Sequence, residues 1–249
     1  MNDWAFAQID TDRFLLFEGP LTAHEQPNDG ETMLYAPGYF LRDGPSWISG
    51  SRCCFLSRKE WEARFPRVDV KNDWGVVCGR PDKTAFKDAF DRLQELFSRG
   101  VLKKGVPATV ATGTIRWSRT LAEHWLHKAG TLRSNLYSYG LRYADVGVIG
   151  ATPEVLFETK AGVLRTMALA GTRPAADTAE LGESPKDLHE HELVKDFLRE
   201  VLSPFGKVAI GQTGVRDFGQ LHHLHTPVSV TLDCAPSFEG LVASLHPTP

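Results

Sequence analysis

Residues 135–170, NLYSYGLRYADVGVIGATPEVLFETKAGVLRTMALA, decide the fold class. Four short apolar runs lie within them, at 135–142, 146–150, 154–159 and 163–170. These runs carry strand-favouring residues and are separated only by tight turns. A parallel pairing needs a crossover of about a dozen residues or more, so the segment predicts an antiparallel meander. Downstream, residues 185–203 form the clearest helix of the chain. Ser184 is placed to cap it, Pro185 suits its first turn, and Asp187 stands where a capping box puts its acid. Val194, Phe197, Leu198, Val201 and Leu202 predict its buried stripe.

The flanking segments complete the class. Phe86, Phe90, Leu93 and Phe97 predict an amphipathic helix over 83–99, stopped by Gly100. Residues 105–117 are rich in Val, Thr and Ile and predict a strand; 119–129 predict a second helix ending at Gly130. Further strands are expected at 207–211 and 226–232, and a short helix at 237–245. Residues 1–80 mix short apolar runs with turn signals such as Asn28-Asp29-Gly30 and Asp43-Gly44-Pro45, and read as strands and loops. No repeat, low-complexity tract or long linker interrupts the chain, which favours one domain over 1–249. The expected class is α+β, with antiparallel β-sheets flanked by helices.

Composition excludes several function classes. The 249 residues are 42% hydrophobic and 24% charged, enough apolar content for a substantial core. A net charge of −3 gives no basic field for nucleic acid or an anionic membrane. No apolar run approaches the roughly 20 residues that span a bilayer. The N-terminus, MNDWAFAQIDTDRF, has no basic segment followed by an apolar one, so no signal peptide is expected. Cys53, Cys54, Cys78 and Cys234 form no C-x-x-C pair, which suits free thiols in a reducing, cytoplasmic compartment.

Four segments carry chemical potential. Gly150-Ala151-Thr152-Pro153-Glu154 is a shaped turn ending on a carboxylate. It is either an ordinary hairpin or the mount of a general acid, the latter requiring enough desolvation to keep Glu154 protonated. In Ala168-Leu169-Ala170-Gly171-Thr172-Arg173-Pro174, Gly171 lets backbone N–H groups approach a ligand closely. Those groups and Thr172 can hold a carboxylate, unless the segment is a plain loop. In Lys186-Asp187-Leu188-His189-Glu190-His191, Asp187 and Glu190 share a helix face, as two hard donors for Mg²⁺ would. Capping by Asp187 beside a solvated Glu190, or zinc on His189, Glu190 and His191, are the alternatives. In Leu221-His222-His223-Leu224-His225-Thr226, alternation would set His223 and His225 on one face and His222 on the other. One functional histidine, with the others at the surface, is the economical reading there.

Taken in order, GATPE (150–154), ALAGTRP (168–174), KDLHEH-x-LV (186–194), HHLHT (222–226) and LHPTP (245–249) resemble the chorismate-binding enzymes. These are the isochorismate synthases, salicylate synthases, anthranilate synthase large subunits and aminodeoxychorismate synthases. The resemblance covers about residues 83–249, with 1–80 matching loosely. It implies the antiparallel α+β fold of anthranilate synthase component I and chorismate as substrate. It also implies roles. Glu154 matches the general acid that protonates the departing C4 hydroxyl. Glu190 matches a direct Mg²⁺ ligand and Asp187 a carboxylate reaching the metal through water. Gly171 and Thr172 match contacts to a substrate carboxylate, and His223 the histidine beside the substrate ring. Lys104, in Lys103-Lys104-Gly105-Val106-Pro107, matches the position that activates the nucleophile, where lysine marks the water-using members. A lysine destabilised as an ammonium by burial or a neighbouring cation can take a proton from water.

Two features narrow the resemblance to isochorismate synthase. Aminodeoxychorismate synthases carry lysine where this chain has Ala170, and Leu245–Pro249 is similar to the isochorismate synthase form of that segment. Arg173-Pro174 and Ala168 depart from it, the former being common in the amine-forming relatives. The expected reaction is Mg²⁺-dependent isomerisation of chorismate to isochorismate, feeding menaquinone or siderophore synthesis. The alternatives are a salicylate or anthranilate synthase-type enzyme and a non-catalytic chorismate-binding protein. Family members continue past the point matching Pro249, so the chain reads as C-terminally incomplete, with a chain that supplies the rest as a candidate partner.

Overall fold

The structure is a computed structural model that describes residues 3–41, 44–70, 77–132 and 135–249. Asp43 of the expected turn at 43–45 and the side chain of Cys78 lie outside the described residues. In chain order the elements are β1 (Trp4–Gln8), β2 (Arg13–His24), β3 (Leu34–Tyr35), β4 (Trp47–Ser57), α1 (Arg58–Arg64), β5 (Val77–Cys78) and α2 (Lys83–Ser98). Then come β6 (Gly113–Thr114), α3 (Arg119–Gly130), β7 (Tyr137–Tyr143), β8 (Val146–Thr152), β9 (Glu158–Lys160) and β10 (Val163–Pro174). The last are α4 (Thr178–Leu181), α5 (Pro185–Leu202), β11 (Gly206–Ile210), β12 (Gly214–Asp217), β13 (Leu221–Leu232) and α6 (Phe238–Leu245). They form two compact units, Met1–Val70 with Ser118–Val155, and Lys71–Trp117 with Leu156–Pro249.

The first unit is built on a six-stranded antiparallel sheet in the order β3-β4-β2-β1-β7-β8. β2 and β1 are interior strands, so the run Phe14-Leu15-Leu16-Phe17 is buried on both faces. Phe14 and Leu16 join Trp4 and Phe6 beneath α1 and α3; Leu15 and Phe17 join Ala5, Leu21 and Ile48 on the other face. Trp61 is the keystone of the helical side. It enters from α1, whose start is fixed by a capping box of Ser57 and Glu60. Its ring stacks on Phe14 with centroids 4.7 Å apart, and its indole N–H donates to the Leu126 carbonyl of α3 at 2.8 Å. One side chain thus ties both helices to the sheet.

The second unit carries a five-stranded antiparallel sheet in the order β11-β13-β10-β9, with β12 also on β13. The long β13 pairs with β11 through its C-terminal half and with β12 through its N-terminal half. α5 lies against this sheet. Val194, Leu198 and Leu202 pack on Leu164, Ala168, Val228 and Val230, and α6 closes the cluster with Leu241 and Leu245. β5 and β6 form a separate two-stranded pair in this unit.

The antiparallel α+β class is as the sequence indicates, but the expected meander is divided. β7 and β8 form a hairpin in the first sheet, β9 and β10 a hairpin in the second. The break falls at Pro153, which has no N–H with which to continue the β8 ladder. The expected strand at 154–159 shrinks to 158–160, and that at 105–117 to Gly113–Thr114. Propensity at 105–117 is realised only where Gly113–Thr114 pairs with β5; Val106 and Val110 are both 79% exposed. Helix α2 forms as predicted, capped by Asp82, yet no residue of it is buried, and Phe86 and Phe90 are exposed. Among the described residues no helix is long and apolar enough to cross a membrane. Replacing Trp61 with Ala should destabilise the protein by about 3–5 kcal/mol through the cavity left under both helices, read as a lowered urea midpoint.

Candidate active site

Helix α5 begins as the sequence requires, with Pro185 in its first turn and the Asp187 N–H donating to the Ser184 hydroxyl at 3.3 Å. Its buried residues are Asp187, His191, Val194, Leu198 and Leu202. The stripe is aliphatic in the later turns and polar in the first two. Polar groups there must be matched by the sheet, because unpaired they would cost roughly 1–3 kcal/mol each. His191 is matched twice: its Nδ1 bonds to the Ala170 carbonyl of β10 at 3.1 Å and its Nε2 to the Thr226 hydroxyl of β13 at 2.7 Å. Burial pushes its pKa down, so the neutral ring is the folded form. His191 therefore locks the polar end of α5 to two strands. His189, by contrast, is exposed, and the pair cannot bind zinc together.

The strands contribute through a bulge. Along β10 the residues paired with β13 run Ala170↔Leu224, then Thr172↔His223 and Arg173↔His222, leaving Gly171 extra. Up to Ala170, the even-numbered residues of β10 face α5; beyond Gly171 the parity inverts. Arg173 therefore turns toward α5 and Thr172 away from it. Without the extra residue the two would exchange faces. Gly171 sits at φ +76°, which strains any side chain, and a Cβ there would stand 3.1 Å from the Asp187 carbonyl oxygen, close enough to press on that backbone.

On the α5 side, Arg173 Nε donates to Asp187 Oδ2 at 2.8 Å and its Nη1 to Glu180 of α4 at 3.0 Å. Burial alone would raise the Asp187 carboxyl, but hydrogen bonds from Arg173 and Ser184 outweigh it and hold the group below the usual carboxylate range. On the opposite face, the Thr172 hydroxyl shares a 2.9 Å hydrogen bond with His223 Nδ1. Phe218 meets the His223 ring edge-on at 5.2 Å. Burial, followed by the neighbouring His222, lowers the pKa of His223, so it works as a neutral donor and acceptor. His225 lies on the same face and pairs with Arg216, whereas His222 bonds to Thr178 of α4 and Asp217. The alternation expected for the three histidines is thus the one observed.

Lys104 follows α2, not the start of a strand. Gly100 ends the helix with its N–H on the Phe97 carbonyl and the Val101 N–H on that of Leu96. The chain then lies back on the helix: a Cβ on Gly105 would be 2.7 Å from the end of the Leu93 side chain, which would have to shift to admit it. This places Lys104 Nζ 3.1 Å from Glu190 Oε1, with both side chains partly buried. The structure thereby assembles Lys104 with Glu190, Asp187 with Arg173, and Thr172 with His223 in the second unit. Glu154 belongs to the first unit, just after β8, where its N–H donates to the Thr152 hydroxyl at 3.1 Å. It is exposed, so the desolvation that a general acid needs is not provided in this structure.

Asp187 and Glu190 suit a divalent cation by their chemistry: both are hard oxygen donors on one helix, and each already holds a cationic side chain. Among the described residues no group of three or more His, Cys, Asp or Glu is arranged to hold a metal. Two carboxylates are nonetheless a normal protein share for Mg²⁺, which keeps waters and takes ligands from substrates. Sequence reasoning missed the parts played by Arg173 and His191. The signal was present for His191, because 187, 191, 194, 198 and 202 continue a single helical stripe.

Residues 14–249 match the family described as chorismate binding enzyme. The chain is 36% identical over 121 residues to the salicylate biosynthesis isochorismate synthase of Pseudomonas aeruginosa, covering 45% of this chain and 25% of that protein. It is 28% identical over 245 residues to isochorismate synthase MenF of Pasteurella multocida, covering 94% of this chain and 55% of that protein. Among solved structures, the menaquinone-specific isochorismate synthase MenF of Escherichia coli superposes with TM-score 0.75 at 18% identity, covering all of this chain and 68% of that one. Anthranilate synthase component I of Streptococcus pneumoniae gives 0.61 at 13% identity, covering 98% and 72%. These structural likenesses establish the fold, and the chain spans only part of the curated relatives it matches.

Two outcomes follow from the bulge and from the bonds that His191 makes to β10 and β13. Gly171→Ala should lower stability by about 1–3 kcal/mol, through the strained φ and the contact with Asp187, as read by thermal melting. His191 has a folded pKa below its ordinary 6.5, so its contribution is complete above that value and is lost as pH falls through the folded pKa. The loss of stability between about pH 7.5 and about pH 5.5 should be shallower in His191→Gln than in the native protein, by urea titration at both values.

Proposed function

The chain belongs to the chorismate-binding enzyme family, and from that premise we propose that it carries isochorismate synthase chemistry: water adds at C2 of chorismate and the C4 hydroxyl leaves as water. The observation that carries the reading is the contact between Lys104 and Glu190. It sets the lysine that marks water-using members beside the carboxylate that the resemblance makes a metal ligand. Ala170, whose equivalent in the aminodeoxychorismate synthases is a lysine, is buried against α5 and offers no amine.

In the proposed mechanism Lys104, as the free amine, takes a proton from the water attacking C2. Glu154, exposed here and protonated only once bound substrate desolvates it, gives a proton to the C4 hydroxyl as it departs. Proton transfers of this kind contribute about 10²–10⁴-fold each. The Thr172 hydroxyl and the backbone N–H groups at the Gly171 bulge hold a substrate carboxylate, and the neutral His223 lies beside the ring. Asp187 and Glu190 would hold Mg²⁺, which when bound supplies orientation and charge withdrawal for the C1 carboxylate. Asp187 would act through water, since Arg173 already occupies one of its oxygens. The named relatives include a salicylate biosynthesis isochorismate synthase and a menaquinone-specific one, and isochorismate synthesis is what their names share.

Purified protein given chorismate and Mg²⁺ should form isochorismate, resolved by chromatography, with no new product when ammonium is added. Lys104→Ala and Glu154→Gln should each lower kcat by about 10²-fold or more. Near-native turnover in either variant would remove that residue from the mechanism. Anthranilate in the presence of ammonium would replace the water-using reading with an amine-forming one.

A further inference from the structure

The contact that supports the proposed function also sets two of its roles against each other. Glu190 is the proposed inner ligand of a divalent cation, and Lys104 the proposed base, yet here each is occupied by the other at 3.1 Å. An ammonium hydrogen-bonded to a carboxylate uses one of its acceptor sites and places a positive charge where a dication would approach. The two cations compete for one carboxylate.

The neighbouring pair shows which cation is exchangeable. Arg173 is held at two points, by Asp187 Oδ2 at 2.8 Å and Glu180 Oε2 at 3.0 Å, and springs from a hydrogen-bonded strand. Lys104 sits on a flexible four-carbon stem in an irregular segment beyond α2. It is the cation with least to lose on leaving.

We infer that Lys104 is a built-in counter-ion for Glu190, and that a divalent cation binding at Glu190 displaces it and so releases the lysine for the reaction. The inference rests on the reading of Glu190 as a metal ligand. It adds that the base and the metal site are one linked device: the base is withheld until the cation arrives. Reciprocity follows, because whatever weakens the hold of Lys104 on Glu190 must strengthen cation binding by the same factor.

The test needs no substrate. Mn²⁺ is titrated into the native chain and into Lys104→Met, Lys104→Arg and Lys104→Met/Glu190→Gln, with free Mn²⁺ read by electron paramagnetic resonance and folding checked by melting temperature. Lys104→Met, which removes the charge and keeps the stem, should bind Mn²⁺ several-fold more tightly than the native chain. Lys104→Arg should stay near the native affinity, and the double variant should lose the gain. Equal or weaker binding by Lys104→Met, a gain that survives Glu190→Gln, or no binding by any of the four overturns the inference. Turnover is a separate readout. Tighter Mn²⁺ binding by Lys104→Met, with no conversion of chorismate by the native chain, would leave this inference standing and remove the proposed function. Isochorismate formation with unchanged Mn²⁺ affinity would do the reverse.

Discussion

The bulge at Gly171 is the constraint on which the candidate site depends. An antiparallel ladder gives each side chain a face by its parity, and one extra residue inverts that assignment for everything beyond it. Here the inversion sends Arg173 to Asp187 beneath α5 and Thr172 to His223 on the other face. The glycine is required twice, by its positive φ and by the Asp187 backbone against which it lies. A single backbone feature therefore builds both the charged pair and the neutral pair of the site.

Helix α5 responds to the same constraint. Its stripe is one continuous face of five buried residues, and only the chemistry of that face changes along its length. Val194, Leu198 and Leu202 bury apolar surface against β10 and β13, contributing about 1.5–3 kcal/mol per fully buried side chain. Asp187 and His191 make no such gain and are stable only because Arg173, Ala170 and Thr226 meet them. The apolar turns thus hold the helix down while the polar turns fix its rotation and depth. That rotation in turn sets the direction in which Glu190, three residues on from Asp187, leaves the helix toward Lys104.

Charge is balanced locally in the second unit. Asp187 has Arg173, and Glu190 has Lys104. Such pairing stabilises carboxylates that would otherwise be costly to bury. It also means that a site built to attract cations holds internal ones, so binding becomes exchange. His223 and His225 are neutral by burial, which keeps added positive charge off the opposite sheet face.

The sequence by itself determined the local elements and much of the chemistry. The start of α5 at Ser184 and Pro185, the end of α2 at Gly100 and the antiparallel pairing were legible because caps, breakers and short turns act over a few residues. The alternation of His222, His223 and His225 was legible because a strand has a fixed period. Tertiary structure alone decided the rest. Strand propensity at 105–117 yielded only Gly113–Thr114, paired with the short β5, and the four strands at 135–170 were divided between two sheets. The Gly171 bulge is invisible in a list of residues, because it exists only as a register between β10 and β13. The pairing of Lys104 with Glu190 spans 86 positions in sequence, and no local periodicity encodes a contact of that range.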